Sequence, residues 1–250
     1  MDFGVKCGVI SSGLKSRWLW SAVAACGFLS VMTSAHFTAA ADCRSDPAPG
    51  VDWSQCNKRL LMLGGSNFEG ANLQGTDFTY TDLRESIVKS VNFTKAKLVR
   101  TSLANTDLAG ATLNKIEAYR SDFTNVKADK VPFVNAEMQR ADFTGAHLAG
   151  ADFSKAELGR ANFENAVLDD VHFSMANLSR ARFIGAKLGG AVDLQNAFLF
   201  LARFEGVDLS KVSGLSQGQL DLACGDANTK LPEGLTASKE WPCHPDEDPS

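Results

Sequence analysis

From Phe68 to Leu188 an apolar side chain returns at every fifth position, through Leu73, Phe78, Leu83 and so on without a gap. The 25 centres are ten Phe, eleven Leu, one Val, one Met and two Ala, and none is charged. A step of five walks around an α-helix instead of following one face, so a helix is excluded. Two positions before each centre (i−2, taking the centre as i) the residue is always small or β-branched: thirteen Ala, four Val, four Thr, three Ser and one Ile. Position i−1 is mostly Asp, Asn or another polar residue, and i+1 and i+2 are mostly polar or Gly. Two inward residues separated by one outward residue describe a short extended segment, and the remaining two positions can make a turn. Leu63 extends the frame backward; one extra residue near Val192–Asp193 shifts the phase, and Leu194, Leu199, Phe204 and Leu209 resume it.

Units such as Ala141-Asp142-Phe143-Thr144-Gly145, Ala151-Asp152-Phe153-Ser154-Lys155 and Ala161-Asn162-Phe163-Glu164-Asn165 resemble the A(D/N)LXX units of pentapeptide-repeat proteins. The resemblance spans about residues 61–212. It implies an all-β fold, a right-handed quadrilateral β-helix with four pentapeptides per coil, about seven coils and small terminal caps. Residues 20 apart then stack at a strand spacing of about 4.8 Å. Phe recurs every ten residues from Phe123 to Phe183, which predicts two ring columns on opposite walls. The weak centres Ala118 and Ala128, with Pro132 unable to donate a ladder hydrogen bond, mark a kink or a cavity, and Met138 is placed to fill the space at Ala118.

The ends read differently. Residues 1–41 have the form of an export signal: Lys6, Lys15 and Arg17, an apolar run from Trp18 to about Met32, and small residues ending Ala39-Ala40-Ala41. The run is short for a membrane span, which leaves an uncleaved anchor or a lipid attachment at Cys26 as lesser alternatives. A periplasmic or secreted address is expected. Of six cysteines, Cys43, Cys56, Cys224 and Cys243 lie outside the leader and the repeats. If the centre is a long rod, its ends are too far apart to bridge, so Cys43–Cys56 and Cys224–Cys243 are the feasible pairs. They would tie down an N-terminal cap at 42–60 and a C-terminal cap at 213–250. In the latter, Ser216-Gln217-Gly218-Gln219 predicts a capping box opening a short helix to Cys224, closed by Gly225. Trp53-Ser54-Gln55-Cys56 and Cys224-Gly225-Asp226 are similar to the ends of exported bacterial repeat proteins.

Composition adds little beyond exclusions. A net charge of −4, or −6 without the leader, argues against a generally basic nucleic-acid binder. Sixteen Phe against two Tyr is explained by the repeat. Against this background one column stands out: Arg100, Arg120, Arg140, Arg160 and Arg180 share position i+2 at a spacing of 20. Guanidinium groups about 5 Å apart repel by about 1 kcal/mol in water. Glu117, Glu137, Glu157, Asp122 and Asp142 are placed to neutralise the central three. Either the column is a salt-bridged relic of coil duplication or it takes an anionic partner, best near Arg180 and Arg182. Phe198 and Phe200 are both outward in the resumed frame; the C-terminal cap is expected to fold over them through Leu215, Leu220 and Leu222, the alternative being a partner or dimer surface.

No phosphate loop, HExxH or GxSxG occurs, and His147 and His172 fall on different walls. No catalytic residue, metal ligand or cofactor is therefore assigned. The expected function is a non-enzymatic exported scaffold whose rigid faces meet an unknown protein or an anionic envelope or glycan partner, with homodimerisation through a rod end as a further option. A gyrase-binding DNA mimic is the alternative and a glycan-active β-helix enzyme a third; no nucleic-acid partner is expected.

Overall fold

A computed structural model describes residues 41–243. The leader, with Cys7 and Cys26, lies outside the described residues apart from Ala41, as does the tail beyond Cys243. Within them the backbone winds as a four-walled coil. Nearly every position i−1 forms a parallel bridge to the residue one coil on. The first wall runs Asp52, Asn72, Asn92, Thr112; the second from Asn57 to Phe198; the third from Met62 to Cys224; the fourth from Asn67 to Lys187.

Local chemistry explains the corners. The centre's carbonyl accepts from the N–H three residues later, as in Phe68 to Ala71 at 2.8 Å, and the residue just before that donor has positive φ, the mark of a type II turn. Gly fills that place at Gly145, φ 66°, but Arg, Lys and Asn also fill it repeatedly. A side chain in this region costs about 1–2 kcal/mol. It is held there by ladder bonds, since Arg140 N–H donates to the Gly159 carbonyl at 2.9 Å and Arg180 N–H to that of Phe200 at 2.8 Å. The recurring Asp or Asn at i−1 has a structural task. Its Oδ1 accepts from the N–H at i+1, for example Asp152 from Ser154 at 2.9 Å and Asn177 from Ser179 at 3.1 Å.

The core sits between the walls. Phe123, Phe143, Phe163, Phe183 and Phe204 stack along the third wall with centroids 4.8–5.1 Å apart. Phe133, Phe153 and Phe173 do so along the first. Rings from the two walls meet edge to face, as Phe143 and Phe153 do at 84°. Where i−2 is Thr, its inward hydroxyl can satisfy a carbonyl of the preceding coil: Thr101 Oγ1 donates to Phe78 O at 2.7 Å. Ala118, Ala128 and Met138 are fully buried. Pro132 costs one rung: no bridge joins it to Thr112, yet Leu113 N–H still donates to its carbonyl at 3.0 Å and it bridges onward to Asp152. The ladder therefore continues through the stretch expected to kink.

The ladder also outruns the limits 61–212. It starts at Asp52, inside the stretch assigned to the N-terminal cap. Trp53 is the first inward centre and Lys58 the second, with its ammonium 3.4 Å from the Trp53 ring centroid. Burial lowers the Lys58 pKa, opposed by Asp42 and Asp46. A charged centre hides the repeat from a reading that requires apolar ones. Cys43 and Cys56 are bridged, Cα atoms 5.4 Å apart, and Trp53 Nε1 donates to Ser45 Oγ at 2.8 Å, so 42–50 folds against this first coil.

At the other end the bridge step grows to 21 residues at His172–Asp193 and 22 at Asp208–Lys230, which defeats a step of five while strands still pair. Helix α1, Gln217–Leu222, carries the expected capping box at Ser216. Gln219 Nε2 donates to the carbonyls of Leu194 and Ala197, both at 2.9 Å, covering the rod's open edge. The helix ends at Leu222 with Ala223 extended, so Gly225 does not close it. Gly225 serves packing instead: a Cβ there would meet the Trp241 ring at 2.4 Å. The second bridge joins Cys224 to Cys243, Cα atoms 5.5 Å apart.

Phe163→Ala is expected to lose about 3–5 kcal/mol of stability and exposed Phe198→Ala less than about 0.5, by urea denaturation. Asp208, held by Ser210 and Lys230, has its pKa lowered to about 2. A depressed folded-state value contributes stability that is present above about pH 4 and lost as pH falls toward 2. Thermal melts from pH 5 to pH 2 should therefore fall less steeply for Asp208→Asn than for the parent.

Candidate functional site

The corner between the second and third walls carries the five arginines, each with φ between 52° and 60°. The structure divides them. Arg100 and Arg120 are exposed and engaged by tyrosines: Arg100 Nη1 donates to Tyr80 Oη at 3.2 Å over the Tyr80 ring, and Arg120 lies 5.4 Å from the Tyr119 centroid. Arg140, Arg160 and Arg180 are half-buried and line a groove of about 520 Å³. Gly159 and Ser179, small residues at i+1, form its low middle. Glu157 and Asn177 stand on the wall side, with Asn177 Nδ2 donating to Glu157 Oε2 at 2.8 Å. Gln139 lies toward one end and Phe198 and Phe200 close the other.

The two phenylalanines are 50% and 40% exposed, their rings 6.3 Å apart and within 12° of parallel. The C-terminal cap does not cover them. Helix α1 turns Leu220 inward and leaves Leu222 exposed, because its task is to satisfy the edge carbonyls of Leu194 and Ala197. One-residue slippage explains why they face out at all. The extra residue lies in a wide corner at Leu188–Ala191, where Asp169 and Asp170 carboxylates accept from Gly189 and Ala191 N–H, both at 2.8 Å. It places Leu199 in the core and Phe198 outside.

Not every candidate joins this site. Arg182 lies on the third wall, ion-paired with Glu164. Of the acids placed to neutralise the arginines, Glu117 pairs with Lys97 at 3.6 Å, and Asp122 and Asp142 accept from Thr124 and Thr144 in their turns. His147 stacks between Lys127 and Val167, His172 between Asp152 and Asp193, on different walls. Among the described residues no group of three His, Cys, Asp or Glu could hold a metal ion, and no helix is long and apolar enough to cross a membrane. The groove's polar lining, Gln139, Asn177 and Ser179, was not singled out from the sequence. Reading position i+1 at a spacing of 20 (Tyr119, Gln139, Gly159, Ser179) would have shown where side chains shrink.

Residues 96–173 match the family model described as pentapeptide repeat region, and residues 62–88 and 156–192 match the one described as pentapeptide repeats (8 copies). No curated protein matches the chain. Among solved structures, HetL, a pentapeptide repeat protein involved in heterocyst differentiation regulation from the cyanobacterium Nostoc sp. strain PCC 7120, is 18% identical with a TM-score of 0.49, over 79% of this chain and 91% of its own. QnrB1, a plasmid-mediated fluoroquinolone resistance protein, in a trypsin-treated variant form, is 18% identical at 0.48, over 71% and 90%. A pentapeptide repeat protein of the Arabidopsis thaliana thylakoid lumen is 29% identical at 0.24, over 42% and 67%. All three scores lie below 0.5, so these likenesses carry no functional argument.

The corner geometry predicts how the arginine column tolerates substitution. Arg180→Asn should keep the melting temperature, since Asn accepts positive φ. Arg180→Val, β-branched in the same place, should lose about 1–2 kcal/mol in the same melts.

Proposed function

We propose that this chain, which belongs to the pentapeptide-repeat family, is a non-enzymatic, exported scaffold that binds its partner on a rigid face of the β-helix. The observation that carries the reading is the groove on the arginine corner, where polar, cationic and aromatic side chains from successive coils stand in register on a backbone locked by ladder bonds. Such a surface is pre-organised, so little conformational entropy is lost on binding. Asp and Asn residues that could suggest acid–base chemistry are engaged in turns, as Asp152 and Asn177 are. A DNA mimic needs a strongly negative face, and this corner carries arginines instead.

Export is supported by the leader pattern of residues 1–41 and by cysteines brought together in pairs at both ends. The chain, expressed with its leader in a Gram-negative host and fractionated, should yield periplasmic or secreted protein beginning just after Ala41, with no thiol open to alkylation before reduction. Full-length protein in the cytoplasm with four reactive thiols between residues 42 and 250 would overturn the exported reading.

A further inference from the structure

We propose that the groove between Arg140 and Phe200 binds a linear glycan that carries carboxylate groups, a polyuronate-type chain lying along the rod axis. The inference rests on the scaffold reading above and names its ligand class. The guanidinium groups of Arg140 and Arg180, two coils apart, provide forked donors suited to carboxylates. Phe198 and Phe200, exposed and nearly parallel, present flat apolar faces of the kind on which the C–H side of a pyranose ring stacks. Asn177, Ser179 and Gln139 supply amide and hydroxyl groups for sugar hydroxyls, and Glu157 supplies an acceptor.

The same features argue against the other anions. Glu137 and Glu157 run in the wall column beside the arginines, so an anionic chain without hydroxyl donors, such as DNA or polyphosphate, would face carboxylates across the groove with no hydroxyl to donate to them. A uronate unit brings one carboxylate to the arginines and hydroxyls that can donate to the glutamates, which suits both sides. An extended acidic peptide would normally pair with a free strand edge. Here the wall's backbone is already used: Glu157 N–H donates to Ala136 O at 2.8 Å, and Leu158 N–H to Asn177 O at 2.8 Å. Acyl chains need a deep apolar trough, whereas the floor is Gly159 and Ser179 and the apolar part is confined to one end.

The test uses the mature, oxidised chain in titration calorimetry with oligogalacturonate as probe. The parent is expected to bind with an affinity that falls as salt is raised. Arg140→Asn plus Arg180→Asn, chosen because Asn occupies the same turn position at Asn125 and Asn165, should weaken binding at least about tenfold. Phe198→Ala plus Phe200→Ala should weaken it comparably, carboxyl-reduced oligomer should bind at least about tenfold less well, and Arg100→Asn plus Arg120→Asn should leave the affinity unchanged. Circular dichroism melts establish that each variant is folded. No binding by the parent, equal binding by the groove variants, or tighter binding of polyglutamate or of phosphatidylglycerol vesicles than of the oligosaccharide would overturn the inference. Any of these results with an exported, oxidised protein leaves the scaffold reading standing, and cytoplasmic retention with intact glycan binding overturns only the export part of that reading.

Discussion

The structure depends on one constraint: twenty residues must close a square so that each coil's ladder N–H and carbonyl groups meet their partners on the next. That closure fixes the turn at the corners and brings positive φ to position i+2 from Gln55 to Gly206, whatever residue stands there. It also sets the width of the interior. With one large and one small side chain entering from each wall, the space is filled when Phe columns oppose each other and Ala or Thr leaves them room. The hydrophobic burial and the backbone ladder are therefore the same event. Neither could persist without the other, because a wall that turned one residue out of phase would expose its rings and break its hydrogen bonds together.

Most of the rod was legible for this reason. A five-residue period with a large and a small inward position has no competing explanation, and the Phe rhythm of ten translates directly into stacks on facing walls. The arginine column was legible by the same arithmetic. What the period could not supply was how those side chains are used. Arg100 and Arg120 turn to tyrosines, Arg140 and Arg180 line a groove, and the difference lies in whether Tyr, Gly or Ser stands beside the arginine, one coil away for Arg100 and in the same repeat for Arg120. The five-residue period specifies none of these neighbours.

The ends were harder for a related reason. The interior must be closed where no further coil exists, so the rules that identify the repeat are suspended there. At the N-terminal end Lys58 keeps its aliphatic stem in the coil and its ammonium against Trp53, an inward position held by a residue that no hydrophobic pattern would nominate. At the C-terminal end two of the last carbonyls face a helix rather than another strand, and a single Gln219 amide satisfies both. Lys58 stands in for an apolar core side chain and Gln219 for a periodic backbone contact, each suited to one location, and so neither leaves a repeating trace.

The extra residue at the Leu188–Ala191 corner connects these themes. An extra residue in a corner exchanges the inward and outward positions of the extended segments that follow, and here it turns Phe198 out and Leu199 in. The core accepts the change because Leu and Phe are both tolerated centres, as Phe78, Leu98 and Leu178 show along the same wall. The surface changes far more. Without the shift, Ala197 would follow Asn177 and Phe198 would take the inward place, so Phe200 would have no outward ring beside it. With it, Phe198 follows Asn177 and Phe200 follows Ser179, so an aromatic pair ends the groove at the coil where the column of arginines stops. A one-residue step that is nearly neutral for packing thus supplies the only stacked aromatic pair among the described residues that faces outward, and gives a periodic surface one place unlike the rest.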